Sequence, residues 1–455
     1  MIPLWLAVLS GCADGDDLAI SPVAAAVGGA AGQAGATSSA GKAGASGAAA
    51  TGGNAGAAGA PMATAGSGGS AGSLAGAAGS GGVAGGAAGT SGAAGAAGDP
   101  AGSGGFHTAA HPPFPTMKNF GGPTLAHVAL FTVSYAGYPY ETDVKGFADF
   151  VASSDWLDTV GKDYGVGKGT HTGHVVLPDP PPGKISDDEI QALLAGLIEN
   201  GTVPGLTKDT LVMIFFPEST TVLQGASTSC ISFGAYHSSA SSKLGAFAYA
   251  VEPACPGVKF GPTELAGIEV AASHEIIEAA TDAQPGLKPG YLAYTGDLMS
   301  FDFIGTEVGD LCAHQPIAVA PYWVQRSWSS AAAANGENPC VPVPDGEVYC
   351  NIAPPADDIR TVKPGESTVF EITGWSLAPT DDWQIDAQQK YADFDVKLEL
   401  DRTTLNNGQV AHLTVTVPAD AKPDAAAGFV VRSLRGGDKG NYTMWPMAVI
   451  VPKVQ

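Results

Sequence analysis

The densest group of side chains that can do chemistry lies in the segment 271–282, AASHEIIEAATD. At about 100° per residue, a helix over this segment brings its imidazole and carboxylates within an arc of about 100°. These residues are His274, Glu275, Glu278 and Asp282. The opposite side carries apolar and small residues: Leu265, Ile268, Ala272, Ile276 and Ala279. The segment therefore predicts a helix with an apolar spine and a narrow stripe of metal-ligating and acid–base groups.

The spacing within this stripe suits a metal ion. His274 and Glu278 are four residues apart, so both can reach one cation, and Glu275 lies beside them, where it can take a proton from water. A metal needs a third ligand, and our first choice is Glu307, about 30 residues further along in GTEVGDLC. Further candidates are Asp310, as a ligand or as a group that orients one, then His237 and His314.

The order HExxE followed by ExxD resembles the plan of zincin metallopeptidases whose third zinc ligand is a downstream glutamate. Glu278 stands where those enzymes carry their second histidine. The resemblance implies a zincin-like active-site helix, with His274, Glu278 and Glu307 holding zinc and Glu275 acting as the general base. A set of one histidine and two glutamates also suits manganese or iron, so the identity of the metal stays open.

A longer stretch, about 125 to 340, resembles the secreted phosphate-induced, exordium-like proteins and their bacterial relatives. That resemblance implies a shared fold and an exported protein, and it does not extend to peptidase activity. It rests on TLVMIFFP at 210–217, Cys230 with Tyr236 and His237, AYAV before Cys255, AATD at the helix end, EVGDLC at 307–312, and Trp328-Ser329-Ser330.

The elements that must position these residues can be predicted from periodicity. Apolar, β-rich runs predict strands at 125–134, 210–217 and 247–251, and helical periodicity predicts helices at 143–164, from Ser186 onward and at 263–281. Ser186 and Glu189 form a capping box, which marks the start of the second helix. Strands that alternate with helices indicate an α/β layered domain over 106–345.

The pattern changes after residue 345. Short runs of alternating residues occupy 367–373, 393–400, 412–417, 428–434 and 447–451. Turn signals separate them, among them Asn407-Gly408 and Pro364-Gly365. Short strands without a helical period predict a small immunoglobulin-like β-sandwich over 346–455. Modules of this kind on exported proteins bind a ligand or act as spacers.

The N-terminal quarter of the chain has the pattern of an export signal followed by a tether. Residues 1–11 have the short apolar core of a signal peptide, and Leu9-Ser10-Gly11-Cys12 resembles the bacterial lipoprotein lipobox, in which Cys12 is acylated. Residues 12–105 are rich in Ala and Gly, and between 23 and 105 only Lys42 and Asp99 are charged. Such a tract buries too little apolar surface to offset its chain entropy, so we expect a disordered tether.

Charge and hydropathy exclude two classes of function. The formal net charge is −23, with 44 acidic against 21 basic residues, whereas a nucleic-acid partner requires a basic surface. No apolar run reaches the roughly 18 residues of a membrane-spanning helix. We therefore expect the chain to associate with a membrane through the lipid on Cys12, at the outer membrane or cell surface.

The six cysteines suggest disulfides rather than a thiolate metal site, because no C-x-x-C pair occurs. If Cys12 carries lipid, five cysteines remain. Their separations suggest the pairs Cys230–Cys255 and Cys312–Cys340. The fifth cysteine, Cys350, is then free or competes with Cys340.

Two functional hypotheses follow from the sequence. The first is an exported, lipid-anchored zinc metallohydrolase, most readily a peptidase, that acts on a peptide or cell-wall substrate. The alternative is a non-catalytic cell-surface lipoprotein that binds glycan or protein, with a structural metal or none. An open cleft beside His274 with Glu275 facing it favours the enzyme, whereas a filled cleft favours the binding protein.

We predict that Cys12 becomes the acylated N-terminus after cleavage between Gly11 and Cys12, because the lipobox is followed directly by the tether. Mass spectrometry of the mature N-terminal peptide from an exporting bacterial host measures this. Cys12→Ser, the matched control, should remain unacylated and leave the membrane fraction. An intact Met1, or cleavage elsewhere with a free Cys12 thiol, contradicts the prediction.

Overall fold

The computed structural model describes residues 105–294 and 305–453. The predicted signal peptide, the acylation site Cys12 and the tether up to residue 104 lie outside these residues. Within the described part, the helices are too short or too polar to cross a lipid bilayer.

The first region contains one central sheet, four small sheets and all the α-helices of the described residues. Its elements, in chain order, are β1 (Thr116–Asn119), β2 (His127–Tyr135), α1 (Glu141–Val151), α2 (Asp155–Gly161), β3 (Gly167–Leu177), β4 (Lys184–Ser186), α3 (Asp187–Glu199), β5 (Thr210–Phe216), β6 (Thr221–Gln224), β7 (Ser227–Thr228), β8 (Tyr236–Ser242), β9 (Gly245–Pro253), α4 (Glu264–Thr281), β10 (Tyr291–Tyr294), β11 (Pro316–Val319), β12 (Tyr322–Gln325), β13 (Ser327–Trp328), α5 (Ser330–Ala334) and β14 (Cys340–Val341).

The central sheet has the order β3-β2-β5-β9-β8, and only β8 runs antiparallel to its neighbour. Its middle strand β5 is buried throughout, and it is apolar after Thr210, because both faces of the sheet are covered. One side of β5 packs with α1, α2 and α4, through Leu211, Met213 and Phe215. The other side packs with α3, through Val212, Ile214 and Phe216. This arrangement confirms the predicted α/β layering.

Helix boundaries follow the capping residues. The Ser186 side chain accepts a hydrogen bond from the backbone N–H of Glu189, and the Glu189 carboxylate accepts one from the backbone N–H of Ser186, as predicted. The single helix predicted over 143–164 is wrong. Ser154 has an extended backbone and caps a separate helix, α2, because its hydroxyl accepts from the N–H of Leu157.

Two strands of the central sheet were not among the predicted ones. β3 is the edge strand GKGTHTGHVVL, and its Gly, Thr and His residues conceal the strand signal. β8, YHSSASS, forms the opposite edge and carries His237 into the interior. Edge strands have one free side and need fewer apolar residues, so their patterns are weak in the sequence.

The second region is a β-sandwich, as predicted, and its likeness to immunoglobulin modules stays a prediction. The two sheets have the orders β15-β17-β21-β19 and β16-β23-β22-β18-β20, and they share one apolar core. The strands are β15 (Cys350–Ala353), β16 (Ile359–Thr361), β17 (Ser367–Ser376), β18 (Trp383–Ala392), β19 (Lys397–Leu400), β20 (Thr404–Leu405), β21 (Val410–Thr416), β22 (Ala426–Arg435) and β23 (Asp438–Ile450).

The two regions pack against each other through buried groups. Trp375 of the sandwich belongs to the same apolar cluster as the helices of the first region. Arg326, which follows β12, donates a hydrogen bond of 2.6 Å to Glu347, and Arg435 of β22 pairs with the same carboxylate. The sandwich thus supports the strand that lies along α4.

Two disulfides occur, Cys230–Cys255 and Cys312–Cys340, with Cα–Cα distances of 5.2 and 5.6 Å. These are the two pairs that the cysteine separations predicted, and Cys350 is free. Disulfides form and persist in oxidising compartments, so they are typical of an exported protein.

We predict that Ser186→Ala lowers the free energy of unfolding by about 1 kcal/mol, because α3 loses its capping box. Urea denaturation followed by circular dichroism measures the change. Ser241→Ala is the matched control, since Ser241 is exposed on the edge strand β8. Equal effects of the two substitutions contradict a specific role for the cap.

Candidate metal centre

The helix α4 is the scaffold of the candidate centre. Its N-terminus is capped by Thr263, whose hydroxyl accepts from the N–H of Ala266 at 3.1 Å. Every residue from Ala266 to Thr281 is buried except Ala271, so the polar stripe faces protein rather than solvent. Charged groups in such a place require partners of opposite charge or a cation.

A first group of candidate ligands joins α4 to the turn that follows β10. His274 Nε2 lies 3.0 Å from Glu278 Oε2 and 3.9 Å from Asp310 Oδ1. One ligand atom from each of the three residues lies within 4.8 Å of the others, and all three are buried. Asp310, which begins a 3-10 turn at Asp310–Cys312, thus occupies the place beside His274 for which Glu307 was the first choice.

A second group uses the edge strand β8. His237 Nδ1 lies 3.7 Å from Glu278 Oε2, and His237 Nε2 lies 3.5 Å from Glu307 Oε1. Ligand atoms of His237, Glu278 and Glu307 also lie within 4.8 Å of one another. Glu278 is therefore common to both groups, and Glu307 is grouped with His237 rather than with His274.

Glu275 lies beside these residues and belongs to neither group. Its Oε2 is 3.3 Å from His237 Nδ1, while His237 Nε2 is 3.2 Å from the backbone oxygen of Asp282. The Asp282 carboxylate itself accepts a hydrogen bond from the N–H of Gly290. His314, the fourth candidate, stacks on Tyr442 and is in neither group.

One atom in the centre lacks a hydrogen bond. Glu278 Oε2 is buried and receives no hydrogen bond of acceptable geometry from the described residues, although His274 Nε2 is close to it. The other oxygen, Oε1, accepts from the N–H of Asp310 at 3.1 Å. A buried carboxylate oxygen without a donor is costly, and a cation between it and the imidazoles satisfies it. The residues present therefore fit a metal ion.

The turn that carries Glu307 and Asp310 packs directly on the ligands. A Cβ atom on Gly309 would lie 2.7 Å from His274 Nδ1 and 2.8 Å from Glu278 Oε1, so only glycine fits there. The N–H of Glu307 donates to Asp310 Oδ2 at 3.0 Å and closes the turn.

Strand β12 links this turn to α4. The Gln325 side chain donates to the backbone oxygen of Gly309 at 2.9 Å, and the Gln325 N–H donates to Ser273 Oγ at 2.8 Å. The disulfide Cys312–Cys340 holds the chain just after Asp310. The Gln325 bridge and the disulfide therefore both help to fix the position of the turn relative to His274.

The buried groups titrate far from their ordinary ranges. Burial lowers the pKa of His237, but the carboxylate of Glu307 and its neighbours outweigh this and raise the pKa to about 9. Burial raises the pKa of Glu278 to about 8, against the opposing effect of His274. Burial likewise raises the pKa values of Glu307 and Asp310. Without a cation, the centre is therefore held together partly by protons.

A small cleft with a cavity volume of about 10 Å³, room for about one water molecule, lies along the first half of α4, and its lining residues include neither His274 nor Glu275. Glu252 and Ala271 are among its lining residues. Burial and the carboxylate of Glu275 raise the pKa of Glu252, and Glu252 Oε1 has no hydrogen-bond partner among the described residues. The cleft thus adjoins the groups that surround Glu275.

No protein-family model and no curated protein matches the chain. Among solved structures it is similar to the S-layer protein SbsC domains 4 and 5, with 11% identity over 23% of this chain and 47% of that chain, at a TM-score of 0.18. It is also similar to the ASH/PapD-like domain of human CEP192, with 15% identity over 26% and 94% of the two chains and a TM-score of 0.17.

A third similar structure is a nucleoside hydrolase-related hypothetical protein from Saccharophagus degradans, which is associated with carbohydrate metabolism. The identity is 8% over 64% of this chain and 77% of that chain, at a TM-score of 0.22. The chain spans about half the length of the SbsC domains. TM-scores this low carry no argument about fold or function.

We predict that the metal-free chain loses stability as the pH rises from about 5 to about 9. The folded-state pKa values of Glu278 and His237, about 8 and about 9, lie above their ordinary values of 4.5 and 6.5. The folded chain therefore holds these protons more tightly, and the stability that they contribute is full below the ordinary pKa and is lost as the pH passes the folded-state pKa.

Urea unfolding of the chelator-treated chain across this range measures the trend. Glu278→Gln should make the decline between pH 5 and 8 shallower, because one titrating group is removed. Zinc should reverse the trend, since its ligands must lose their protons to bind. A metal-free stability that is constant or rises over the range contradicts the prediction.

Proposed function

We propose that the chain is an exported zinc metallohydrolase, most readily a peptidase, with a zincin-like centre on α4. The observation that carries the proposal is the convergence of His274, Glu278 and Asp310, with Glu275 beside them and outside the ligand group. His237 and Glu307 lie close to the same centre and complete its surroundings.

The charge in the centre supports a metal ion. Six carboxyl groups and two imidazoles are buried there, each with a relative exposure of 8% or less: Glu252, Glu275, Glu278, Asp282, Glu307, Asp310, His237 and His274. If all six carboxyls are ionised, they outnumber the imidazoles even when both imidazoles are protonated, in a medium where each unpaired charge costs several kcal/mol. A divalent cation offsets part of this imbalance.

The roles of the residues follow from their contacts. Bound zinc supplies Lewis acidity that polarises the carbonyl of a scissile bond. Glu275 has its carboxylate in the centre and is the candidate general base. His237 contacts Glu275 through Nδ1 and is anchored at Nε2 by the Asp282 backbone oxygen, so it positions the base.

A second candidate function is a surface-binding protein in which the metal is structural. The observation that favours it is the burial of the centre, because structural metal sites are closed and catalytic sites keep an open position. In this case the centre stiffens the α/β region, and the sandwich or another surface binds glycan or protein. The two disulfides support an exported location under either function, and the lipid anchor at Cys12 is part of both proposals.

We predict that Glu275→Gln abolishes hydrolysis and keeps the metal, because Glu275 is outside both ligand groups. His274→Ala should lose both, since an imidazole ligand is removed. The loss of a general base typically lowers kcat by about 10²- to 10⁴-fold. The substrates for the assay are a quenched-fluorescence library of short peptides and purified bacterial cell wall, and zinc is measured by elemental analysis.

The matched control is Glu371→Gln, a carboxylate exposed on the sandwich, which should change neither activity nor metal content. Zinc-loaded wild type that turns over neither substrate class favours the surface-binding function. A wild-type chain that holds no metal contradicts both functions in their metal-dependent form.

A further inference from the structure

The two candidate ligand groups share one residue. His274 and Asp310 form one group with Glu278, and His237 and Glu307 form the other group with it. Neither group contains both histidines. The centre therefore offers two sets of ligands joined at one carboxylate.

The contacts of Glu278 suit a bridge. Its Oε2 is 3.0 Å from His274 Nε2 and 3.7 Å from His237 Nδ1, is buried, and receives no hydrogen bond of acceptable geometry from the described residues. Two ligand atoms on one zinc ion, each about 2.0 to 2.2 Å from the metal, stand roughly 3 to 4 Å apart. Each imidazole thus lies at a distance from this oxygen that fits a cation bound between that imidazole and the oxygen.

His237 is held as a metal-ligating histidine is held. Its Nε2 lies 3.2 Å from the backbone oxygen of Asp282, to which an N–H must donate. A histidine that donates one N–H to a backbone oxygen presents its other nitrogen as a ligand. That nitrogen, Nδ1, is the one that faces Glu278 and Glu275, while Glu307 Oε1 lies 3.5 Å from Nε2 of the same ring.

We propose that the centre holds two divalent cations bridged by the carboxylate of Glu278. The first ion is bound by His274, Glu278 and Asp310, and its presence rests on the proposed function. The second ion, with His237, Glu278 and Glu307 as its ligands, goes beyond it. Carboxylates outnumber imidazoles six to two in the centre, so two dications balance this charge better than one.

A pair of ions narrows the class of chemistry. Two divalent ions about 3.5 to 4 Å apart are used by aminopeptidases, phosphatases and nucleases to hold both the attacking and the leaving oxygen. Binding of two ions does not depend on catalysis, so the site can be tested by metal content alone. The same bridge also explains why a second histidine, from a distant strand, is buried beside the HExxE helix.

The competing occupant is a proton. A protonated His237 can donate to Glu275 through Nδ1 and to the Asp282 backbone oxygen through Nε2, and it then takes the place of the second ion. The two arrangements differ in metal content, which makes the count of bound ions decisive.

The experiment is a zinc titration of the full-length chain after removal of metal by a chelator, with elemental analysis of the desalted product. We expect two zinc ions per chain. Asp310→Asn and Glu307→Gln form a matched pair, because each removes one carboxylate from one group only, and each should reduce the count to one. Glu278→Gln should reduce it below one.

Two control variants address zinc bound elsewhere. Cys350→Ser removes the free thiol of the described residues, and His412→Asn removes an exposed imidazole that pairs with Asp401. Both should keep two ions. Cobalt loading of the wild type needs no variant, and two cobalt ions that share a carboxylate should be spin-coupled in electron paramagnetic resonance.

The number of bound ions distinguishes the second site from the proposed function. One ion in the wild type, with uncoupled cobalt, overturns the second site and leaves the proposed function intact. No bound ion overturns both. Two ions that persist in both Asp310→Asn and Glu307→Gln lie elsewhere, and this result also overturns the bridged pair.

Discussion

The burial of carboxyl groups beside α4 is the constraint on which the architecture of the first region depends. Taking an ionised carboxylate out of water costs several kcal/mol even after the surroundings relax. Glu275 and Glu278 are at most 1% exposed, and Glu307 and Asp310 are brought to them by a separate segment. A fold that gathers these groups must neutralise them with protons, imidazoles or a metal. The raised pKa values of Glu278 and Glu307 mean that, without a metal, these carboxyls keep their protons to higher pH than ordinary glutamates.

The surrounding framework is built to keep these groups from moving apart. Gln325 connects Ser273 of α4 to the backbone of Gly309, and the disulfide at Cys312 anchors the end of the same turn. The sandwich contributes through Arg435, which pairs with Glu347, the partner of Arg326 just after β12. Rigid support of this kind suits a site whose ligand distances must be held within a few tenths of an ångström.

Catalytic and structural metal centres place opposite demands on such a framework. A structural centre is closed, whereas a catalytic centre needs an open position and a base that is not itself a ligand. This chain has features of each. The ligands are buried, as in a structural centre, whereas Glu275 stands outside both ligand groups, as a general base does. The similarity to solved structures is too low to distinguish a catalytic from a structural centre, so the geometry of the centre is the relevant observation.

The sequence by itself determined the local elements and the chemistry of one helix. The periodicity over 263–281 specified α4, Ser186 specified the start of α3, and the cysteine separations indicated both disulfides. These features depend on residues close together in the chain or on simple pairing.

Only the tertiary structure decided which distant residues join the helix. Asp310 rather than Glu307 lies beside His274, because the turn closes through the N–H of Glu307 and the carboxylate of Asp310. His237 enters the centre from an edge strand whose polar sequence carries no strand signal. Side-chain direction across a turn and the pairing of an edge strand depend on contacts far apart in the chain, and periodicity contains no information about them.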